Sequence, residues 1–259
     1  MTIRTFATPD DLGQAVAEDI AARLTAKPGP FLLGCPGGRS PRPVYAALAR
    51  LGAAHSLDLT RLIIVMMDDY LIPAPGRFNH VPEDVHYSCR RFARNEIQGV
   101  LNASLMPAHQ VLDTNVWFPD PTNPAAYDDR IAASGGIDLF LLASGAGDGH
   151  VAFNPPGSAA TSTTRIVALA EQTRHDNLAT FPDFPFLDAV PRHGVTVGIA
   201  TIARARATAM VVWGADKRVA FRHLSRATGY QPTWPATVWA ACHDATLYAD
   251  HAAAEDANP

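Results

Sequence analysis

Short runs of consecutive apolar residues alternate with helical stretches along this chain of 259 residues. A strand that is buried on both faces has such a continuous run, and strands joined by helices form parallel sheets. The sequence therefore predicts an α/β fold: a doubly wound, mainly parallel sheet with helices on both faces, in a single domain over residues 1–259. The predicted strands are 31–34, 61–67, 137–143, 195–199, 208–213 and 245–248.

Helix signals occupy the intervals between these strands. Thr8-Pro9-Asp10-Asp11 combines a cap residue, proline at the first position and acids in the first turn, which predicts a helix to about residue 26. Further helices are predicted over 90–100, 123–134, 201–206 and 214–227. The proline-rich stretch within 71–88 is interpreted either as a lid over the site or as a surface insertion.

Composition excludes several classes of protein. The formal net charge is −4 without a long block of one sign, which argues against an extended nucleic-acid surface. An apolar run of about 18 residues is absent, so no membrane span is expected. The first residues lack a signal peptide. Cys35, Cys89 and Cys242 are isolated, which argues against a disulfide framework or a zinc site and favours a cytoplasmic location.

The loop after the predicted strand 137–143 holds a carboxylate and an imidazole two residues apart, Asp148 and His150, with Gly149 between them. Ligands of α/β proteins bind outside the carboxyl ends of parallel strands. An Asp-His pair can move protons near neutral pH, and glycines let the backbone approach a ligand. The alternative is a tight turn in which Asp148 caps a helix.

Two other loops follow predicted strands and carry polar groups. Gly37, Gly38, Arg39 and Ser40 precede a helix, so backbone N–H groups, the helix dipole and a guanidinium could bind an anion. An ordinary strand–helix turn is the alternative, and the P-loop pattern is absent.

The adjacent acids Asp68 and Asp69 follow the strand 61–67. They could supply a general base or a metal ligand, or they could cap a helix or face solvent. Together, the three loops suggest a small anionic substrate that the first loop holds and the other two convert.

Several motifs follow one another along the chain: Gly-Gly-Arg-Ser-Pro at 37–41, Met-Asp-Asp-Tyr at 67–70, Gly-Asp-Gly-His-Val-Ala-Phe-Asn at 147–154, Thr-Arg at 164–165 and 173–174, Val-Thr-Val-Gly-Ile at 195–199, and Gly214 with Lys217. In this order they resemble the glucosamine-6-phosphate deaminase/isomerase family, over about residues 8 to 250. The 6-phosphogluconolactonases share this superfamily, but the 148–154 motif is more similar to the deaminase branch.

The resemblance implies a role for each matching residue. Asp68 matches the base that moves a proton between C1 and C2 of the open-chain sugar. His150 matches the residue that assists ring opening, and Asp148 matches the carboxylate that orients it. The remaining candidates are expected to bind the substrate or its phosphate: Gly37, Gly38, Arg39, Ser40, Asp69, Gly149 and Lys217. The resemblance implies no metal and no organic cofactor, and a homo-oligomer. The charge pattern and the lack of an apolar span predict neither a nucleic-acid nor a membrane partner.

The chain departs from the family pattern at several positions. Pro155 replaces the glutamate that completes the ring-opening relay, and no nearby acid in the sequence replaces it. Ala179 stands where the family has a phosphate-binding arginine. Arg39 stands where the family has a small residue, so we hypothesise that it supplies the missing charge. The stretch 71–88 is longer than in the family and could bring Arg77, His80 or His86 to the site.

The leading functional hypothesis is deamination and isomerisation of an amino-sugar phosphate such as glucosamine 6-phosphate. The alternatives are isomerisation of a non-amino acidic sugar, hydrolysis of a sugar lactone like that of the 6-phosphogluconolactonases, and binding of a sugar phosphate without catalysis.

Overall fold

The computed structural model describes residues 1–181 and 183–255. The strands are β1 (Thr2–Phe6), β2 (Phe31–Cys35), β3 (Leu62–Met66), β4 (Asp68–Ala74), β5 (Arg77–His80), β6 (Val116–Trp117), β7 (Leu139–Ala143), β8 (Arg165–Ala168), β9 (His193–Thr196), β10 (Ala207–Val212) and β11 (Asp244–Asp250). The α-helices are α1 (Pro9–Ala26), α2 (Arg42–His55), α3 (Cys89–Phe92), α4 (Gly99–Asn102), α5 (Ala125–Ala133), α6 (Glu171–Thr180), α7 (Ile199–Ala203), α8 (Arg218–Ser225) and α9 (His251–Ala254). A π-helical segment, Ala93–Gln98, joins α3 to α4.

Seven parallel strands form the larger sheet, in the order β1-β11-β10-β7-β2-β3-β6. The chain runs outward from β2 through β3 to β6 on one side, and then from β7 through β10 to β11 on the other. The strand order therefore reverses between β2 and β7, which is where doubly wound sheets bind their ligands. The prediction of a mainly parallel, doubly wound sheet is confirmed.

Alternate residues of the central strands face two separate cores. In β2, Leu33 packs in the core with α1, α2 and the helical segment 89–102, whereas Leu32 packs in the core with α5, α7 and α8. In β3, Ile64 packs in the same core as Leu33, and Val65 packs in the same core as Leu32. All four side chains are 0% exposed, so each strand is buried on both faces and its sequence has to be apolar throughout.

A second, antiparallel sheet has the order β5-β4-β9-β8. Its strand β4 begins at Asp68, and only Met67 separates it from the end of β3 at Met66. The predicted loop at 68–70 is therefore a strand, and the two sheets meet at the carboxyl end of β3. Residues 71–80 form a hairpin of β4 with β5, rather than an irregular loop.

The predicted boundaries hold to within a few residues for most elements, including helix α1, whose Thr8 side chain accepts a hydrogen bond from the Asp11 amide. The predicted strand 195–199 lay too far along the chain: β9 covers His193–Thr196, because the chain turns at Gly198 and Ile199 begins α7. A Cβ on Gly198 would lie 2.0 Å from the Ser162 carbonyl oxygen, so the tight turn requires glycine. Among the described residues, we find no helix with the length and apolar character needed to cross a membrane.

Candidate functional site

Four adjacent strands of the larger sheet, β3, β2, β7 and β10, end at one cavity of about 420 Å³. Because parallel strands place their carboxyl ends on the same edge, loops that are far apart in the sequence meet there. The cavity is lined by seven of the ten predicted site residues: Gly37, Gly38, Arg39, Ser40, Asp68, His150 and Lys217. Asp148 lies behind His150. The structure does not bring Asp69 or Gly149 to the wall of this cavity.

Asp68 is a buried carboxylate at the junction of the two sheets, with 6% of its surface exposed. Burial, and then the negative charge of Asp69, raise the pKa of Asp68 to about 7. The thiol of Cys89 opposes this shift, since its Sγ donates to Asp68 Oδ1 at 3.6 Å. A carboxylate of this kind on a cavity wall is suited to general acid–base catalysis near neutral pH.

Asp69 points away from the cavity and is 0% exposed. Its Oδ1 accepts hydrogen bonds from the backbone amides of Tyr70 and Cys89, and its Oδ2 lies 2.7 Å from His80 Nδ1 and 3.4 Å from Arg90 Nε. One carboxylate therefore fixes β4, the β5 end of the hairpin and the start of α3. This geometry supports a structural role for Asp69 rather than contact with a substrate.

Asp148 and His150 form the pair predicted from the sequence. Asp148 Oδ1 lies 2.7 Å from His150 Nδ1 and also accepts from the His150 backbone amide at 3.1 Å. Although burial alone would raise the pKa of Asp148, the hydrogen bonds and charge of His150 lower it below its usual value. An ionised carboxylate can only accept, so we assign the proton to Nδ1, which leaves Nε2 free to take a proton from a ligand.

Two glycines allow the backbone to pack against this pair. A Cβ on Gly145 would lie 2.2 Å from His150 Nδ1 and 2.5 Å from Asp148 Oδ1. Gly149 has a positive φ of 65°, and a Cβ there would lie 2.3 Å from the Trp234 ring. Both positions are therefore restricted to glycine by close contact, and Gly149 acts through the shape of the loop.

The glycine-rich loop that was predicted to bind an anion lies between the end of β2 and the start of α2. Gly38 has a φ of 82°, which favours glycine, and the Trp213 indole donates to the Ser40 carbonyl at 2.8 Å. Arg39 pairs with Asp216 and lies over the Trp213 ring, 5.0 Å from its centroid, with half of its side chain exposed. This guanidinium is therefore at the rim of the cavity and already has a carboxylate partner.

Lys217 follows β10 and reaches into the same cavity. Its Nζ donates to the Ser144 carbonyl oxygen at 2.7 Å, next to the loop that holds Asp148 and His150. Burial lowers the pKa of Lys217, and the carboxylates of Asp216, Asp176 and Asp148 act in the opposite direction. A cation at this place can bind a substrate anion.

Sequence reasoning missed the contribution of α6. Asp176, Asn177 and Thr180 of this helix line the cavity. The Asn177 amide nitrogen is buried and has no hydrogen-bond acceptor among the described residues, so it is available to a ligand. The signals in the sequence were the Thr-Arg motif at 173–174 and the match of Ala179 to a phosphate-binding position of the family. Ala179 lies in the same helix, but its side chain lies outside what the structure describes.

One group of side chains on this wall has the spacing of metal ligands. One atom each from Asp148, His150 and Asp176 lie within 4.8 Å of one another. The carboxylates of Asp148 and Asp176 also act on Lys217, which lines the same cavity and whose positive charge opposes a bound cation. The cluster therefore fits proton transfer better than metal binding.

The stretch 71–88 does not contribute to the wall of this cavity as described. His80 is bonded to Asp69, Arg77 is an exposed residue of β5, and His86 packs edge-on against Tyr87 and Phe184. His86 instead borders a smaller neighbouring cavity of about 200 Å³. The stretch is thus a packed hairpin and turn beside the site.

Known proteins share both the sequence and the fold of this chain. A family model described as glucosamine-6-phosphate isomerases/6-phosphogluconolactonase matches residues 7–248. A glucosamine-6-phosphate deaminase of Arthrobacter sp. (strain FB24) is 38% identical over 217 residues, covering 82% of this chain and 75% of the relative. That of Mycolicibacterium smegmatis is 34% identical over 258 residues, covering 98% and 92%.

Solved structures agree with these relatives. A structure described as a monomeric glucosamine-6-phosphate deaminase has a TM-score of 0.83 and 26% identity, covering 98% of this chain and 99% of its own. The 6-phosphogluconolactonase from Trypanosoma cruzi has a TM-score of 0.69 and 19% identity, covering 100% and 97%, which shows a common fold. From the family match, the relatives and the site geometry together, this chain belongs to the family of glucosamine-6-phosphate isomerases and 6-phosphogluconolactonases.

Proposed function

We propose that this protein is an enzyme that deaminates and isomerises glucosamine 6-phosphate, giving fructose 6-phosphate and ammonia. The curated relatives at 34–38% identity that carry the name glucosamine-6-phosphate deaminase support this activity. The observation that carries it is the shared cavity of Asp68, His150 and Lys217, which combines a base, a proton shuttle and a cation for the phosphate.

The first step opens the pyranose ring. His150 takes the proton of the C1 hydroxyl as the C1–O5 bond breaks, and it returns a proton to O5, so that an aldehyde and a free hydroxyl result. The Asp148 carboxylate at Nδ1 holds the ring in the tautomer that this step needs and stabilises the imidazolium.

The second step moves a proton between neighbouring carbons. Asp68 removes the C2 proton and delivers a proton to C1, while one proton passes from nitrogen to O1, which leaves an iminium at C2. Water adds at C2 and ammonia leaves, giving the ketose phosphate. A single base can serve both carbons because they are adjacent, and its raised pKa suits both removal and return of a proton.

The activity is tested by offering three substrates to the purified protein. Glucosamine 6-phosphate should release ammonia and form a ketose phosphate. Fructose 6-phosphate with ammonium should give the reverse reaction. Acid release from 6-phosphogluconolactone without any ammonia from the amino sugar would instead identify a lactone hydrolase. Binding of these compounds without turnover would identify a binding protein, and either of these two results contradicts the proposed deamination.

We expect kcat/KM to fall about tenfold for each pH unit below about 7, because Asp68 must be ionised to act as the base. Replacing Cys89 with alanine removes the hydrogen bond that lowers the Asp68 pKa, so the acidic limb should move to higher pH. Cys89→Ser keeps a donor and should restore the position of the limb. The substrate phosphate also titrates in this range, but equally for every variant. Superimposable profiles would contradict the role of Asp68.

We expect Lys217→Met to raise KM for glucosamine 6-phosphate by about 10- to 100-fold, because it loses a charged contact with the phosphate. Arg39→Ala should raise KM by less, about 3- to 10-fold, since Arg39 is half-exposed and paired with Asp216. Binding of inorganic phosphate, measured by calorimetry, should weaken in the same order. Arg222→Ala, an exposed arginine of α8, is the control. Unchanged phosphate affinity in Arg39→Ala would show that this residue does not supply the missing charge.

Three predictions about the whole protein belong with this proposal. They are a single domain over residues 1–259, a homo-oligomer and a cytoplasmic location. Light scattering on the purified protein tests the second, and the structure described as a monomeric deaminase makes a single copy the competing outcome. Limited proteolysis tests the first, and fractionation of the source cells tests the third.

A further inference from the structure

A second carboxylate faces His150 from outside its loop. Asp176 lies in α6 and lines the cavity, and one atom each from Asp176, Asp148 and His150 lie within 4.8 Å of one another. Asp148 Oδ1 is occupied by His150, and its Oδ2 is buried without a hydrogen-bond partner among the described residues. The imidazole therefore has two carboxylates close to it, and they come from different elements of the fold.

The Asp176 carboxylate is held in place by its own helix. Gln172 Nε2 donates to Asp176 Oδ1 at 2.9 Å, which leaves Oδ2 available. The helix itself is fixed from its other side, because the buried Arg174 donates to the carbonyl oxygens of Leu187 and Val190. The position of Asp176 near His150 thus follows from the packing of α6.

We propose that Asp176 is a positioning residue for the ring-opening step, which acts through His150 by stabilising the positive charge on the protonated imidazole. This inference rests on the proposed function, because that step is the one in which His150 takes up a proton. The sequence near Pro155 offers no acid in place of the family's glutamate. The required charge comes from a helix 21 residues further along the chain than Pro155.

The charge balance of the step explains the need for a second acid. When the C1 hydroxyl proton reaches Nε2, the ring becomes an imidazolium, and it becomes neutral again when a proton passes to O5. Lys217, in the same cavity, repels that transient positive charge. A carboxylate within 4.8 Å counteracts this repulsion, since opposite charges at such distances interact strongly in a partly buried site.

A competing role for Asp176 is to hold Lys217, because its charge also acts on that lysine. The two roles differ in their kinetic effects. Loss of support for Lys217 weakens phosphate binding and raises KM, whereas loss of support for the protonated His150 lowers kcat. Separate measurement of kcat and KM in an Asp176 variant therefore distinguishes the two roles.

The test compares Asp176→Asn, Asp176→Glu and Glu171→Gln in the full chain, with glucosamine 6-phosphate as substrate. We expect Asp176→Asn to lower kcat by about 10²-fold with KM changed less than about threefold. Asp176→Glu should recover at least about tenfold of that loss, because it restores the charge. Glu171→Gln removes an exposed acid of the same helix and should match the wild type. An unchanged kcat, or an effect on KM alone, overturns the inference.

A second readout does not depend on activity. The ¹⁵N NMR signals of the His150 ring, assigned with a His150→Gln variant, should shift in Asp176→Asn but not in Glu171→Gln. If the wild type releases no ammonia, the proposed function fails, and the NMR comparison still decides whether Asp176 acts on His150. Signals that are identical in wild type and Asp176→Asn overturn the inference by themselves.

Discussion

Asp68→Asn is expected to lower kcat by about 10³- to 10⁴-fold, because it removes the only carboxylate of β4 that borders the cavity in the described structure. Asparagine has nearly the same shape, so the cavity should stay intact and phosphate should bind as in the wild type. Ammonia release and phosphate titration, measured on one preparation, check both parts. A variant that keeps more than about a tenth of the activity would exclude Asp68 as the base.

The same substitution should stabilise the folded protein at about pH 8. Folding raises the Asp68 pKa from 3.8 to about 7, so the folded state favours the protonated form, and wild-type stability falls as the pH rises through that interval. Asparagine carries no charge and avoids this loss. We therefore expect Asp68→Asn to raise the free energy of unfolding by about 2 to 4 kcal/mol above pH 7 and to leave it unchanged near pH 4. Urea unfolding at several pH values measures it.

Asp69→Asn is the matched control for Asp68→Asn. The two acids are adjacent and both buried, but Asp69 is bonded to two amides, His80 and Arg90. Removing its charge should therefore destabilise the protein by about 2 kcal/mol or more, the opposite sign from Asp68→Asn. If both variants changed stability in the same direction, burial rather than bonding would govern the two sites.

Gly145→Ala should lower kcat by about 10²-fold, because its methyl group would occupy space that His150 Nδ1 and Asp148 Oδ1 now fill. The pair must move apart or shift as a unit, and either change misplaces Nε2 relative to the sugar ring. Overpacking of this kind also costs about 1 to 3 kcal/mol of stability. Steady-state kinetics and thermal unfolding check the two effects.

Gly147→Ala provides the comparison in the same loop. A Cβ on Gly147 would meet only the Gln172 side chain, at 3.9 Å, which is an ordinary contact. We expect this variant to retain activity within about threefold and to unfold near the wild-type temperature. Equal losses in both variants would show that the loop tolerates no side chain anywhere, and that the contact with His150 is not the cause.

Sequence patterns predicted the central strands well, because β2, β3, β7 and β10 are apolar on both faces and few other structures fit such runs. Strands β1, β5 and β8 were missed because they lack such continuous burial. Residues 2–5 of β1 are exposed, so no burial pattern marks that strand. In the second sheet, β5 and β8 consist of exposed or half-buried residues that do not alternate clearly.

The candidate site was predictable where its residues follow the predicted strands. Asp68, Asp148 and His150 stand at strand ends, so the topology alone brings them together. Asp176 and Asn177 could not be placed, because their position depends on how α6 packs across the cavity. The sequence also did not predict that the side chains of Asp68 and Asp69 point in opposite directions. They do so because a strand begins at Asp68, and neighbouring side chains of a strand point to opposite faces.

The pairing of β1 with β11 has a consequence for how the protein folds during its synthesis on the ribosome. Thr2 is in register with Thr246, 244 residues later in the chain. At a synthesis rate of 5 to 20 residues per second, the first strand waits about 10 to 50 s for its partner. The strands on either side of β2, β3 and β7, emerge earlier, so the nascent chain can form the part of the sheet that borders the candidate site while its first strand is still unpaired.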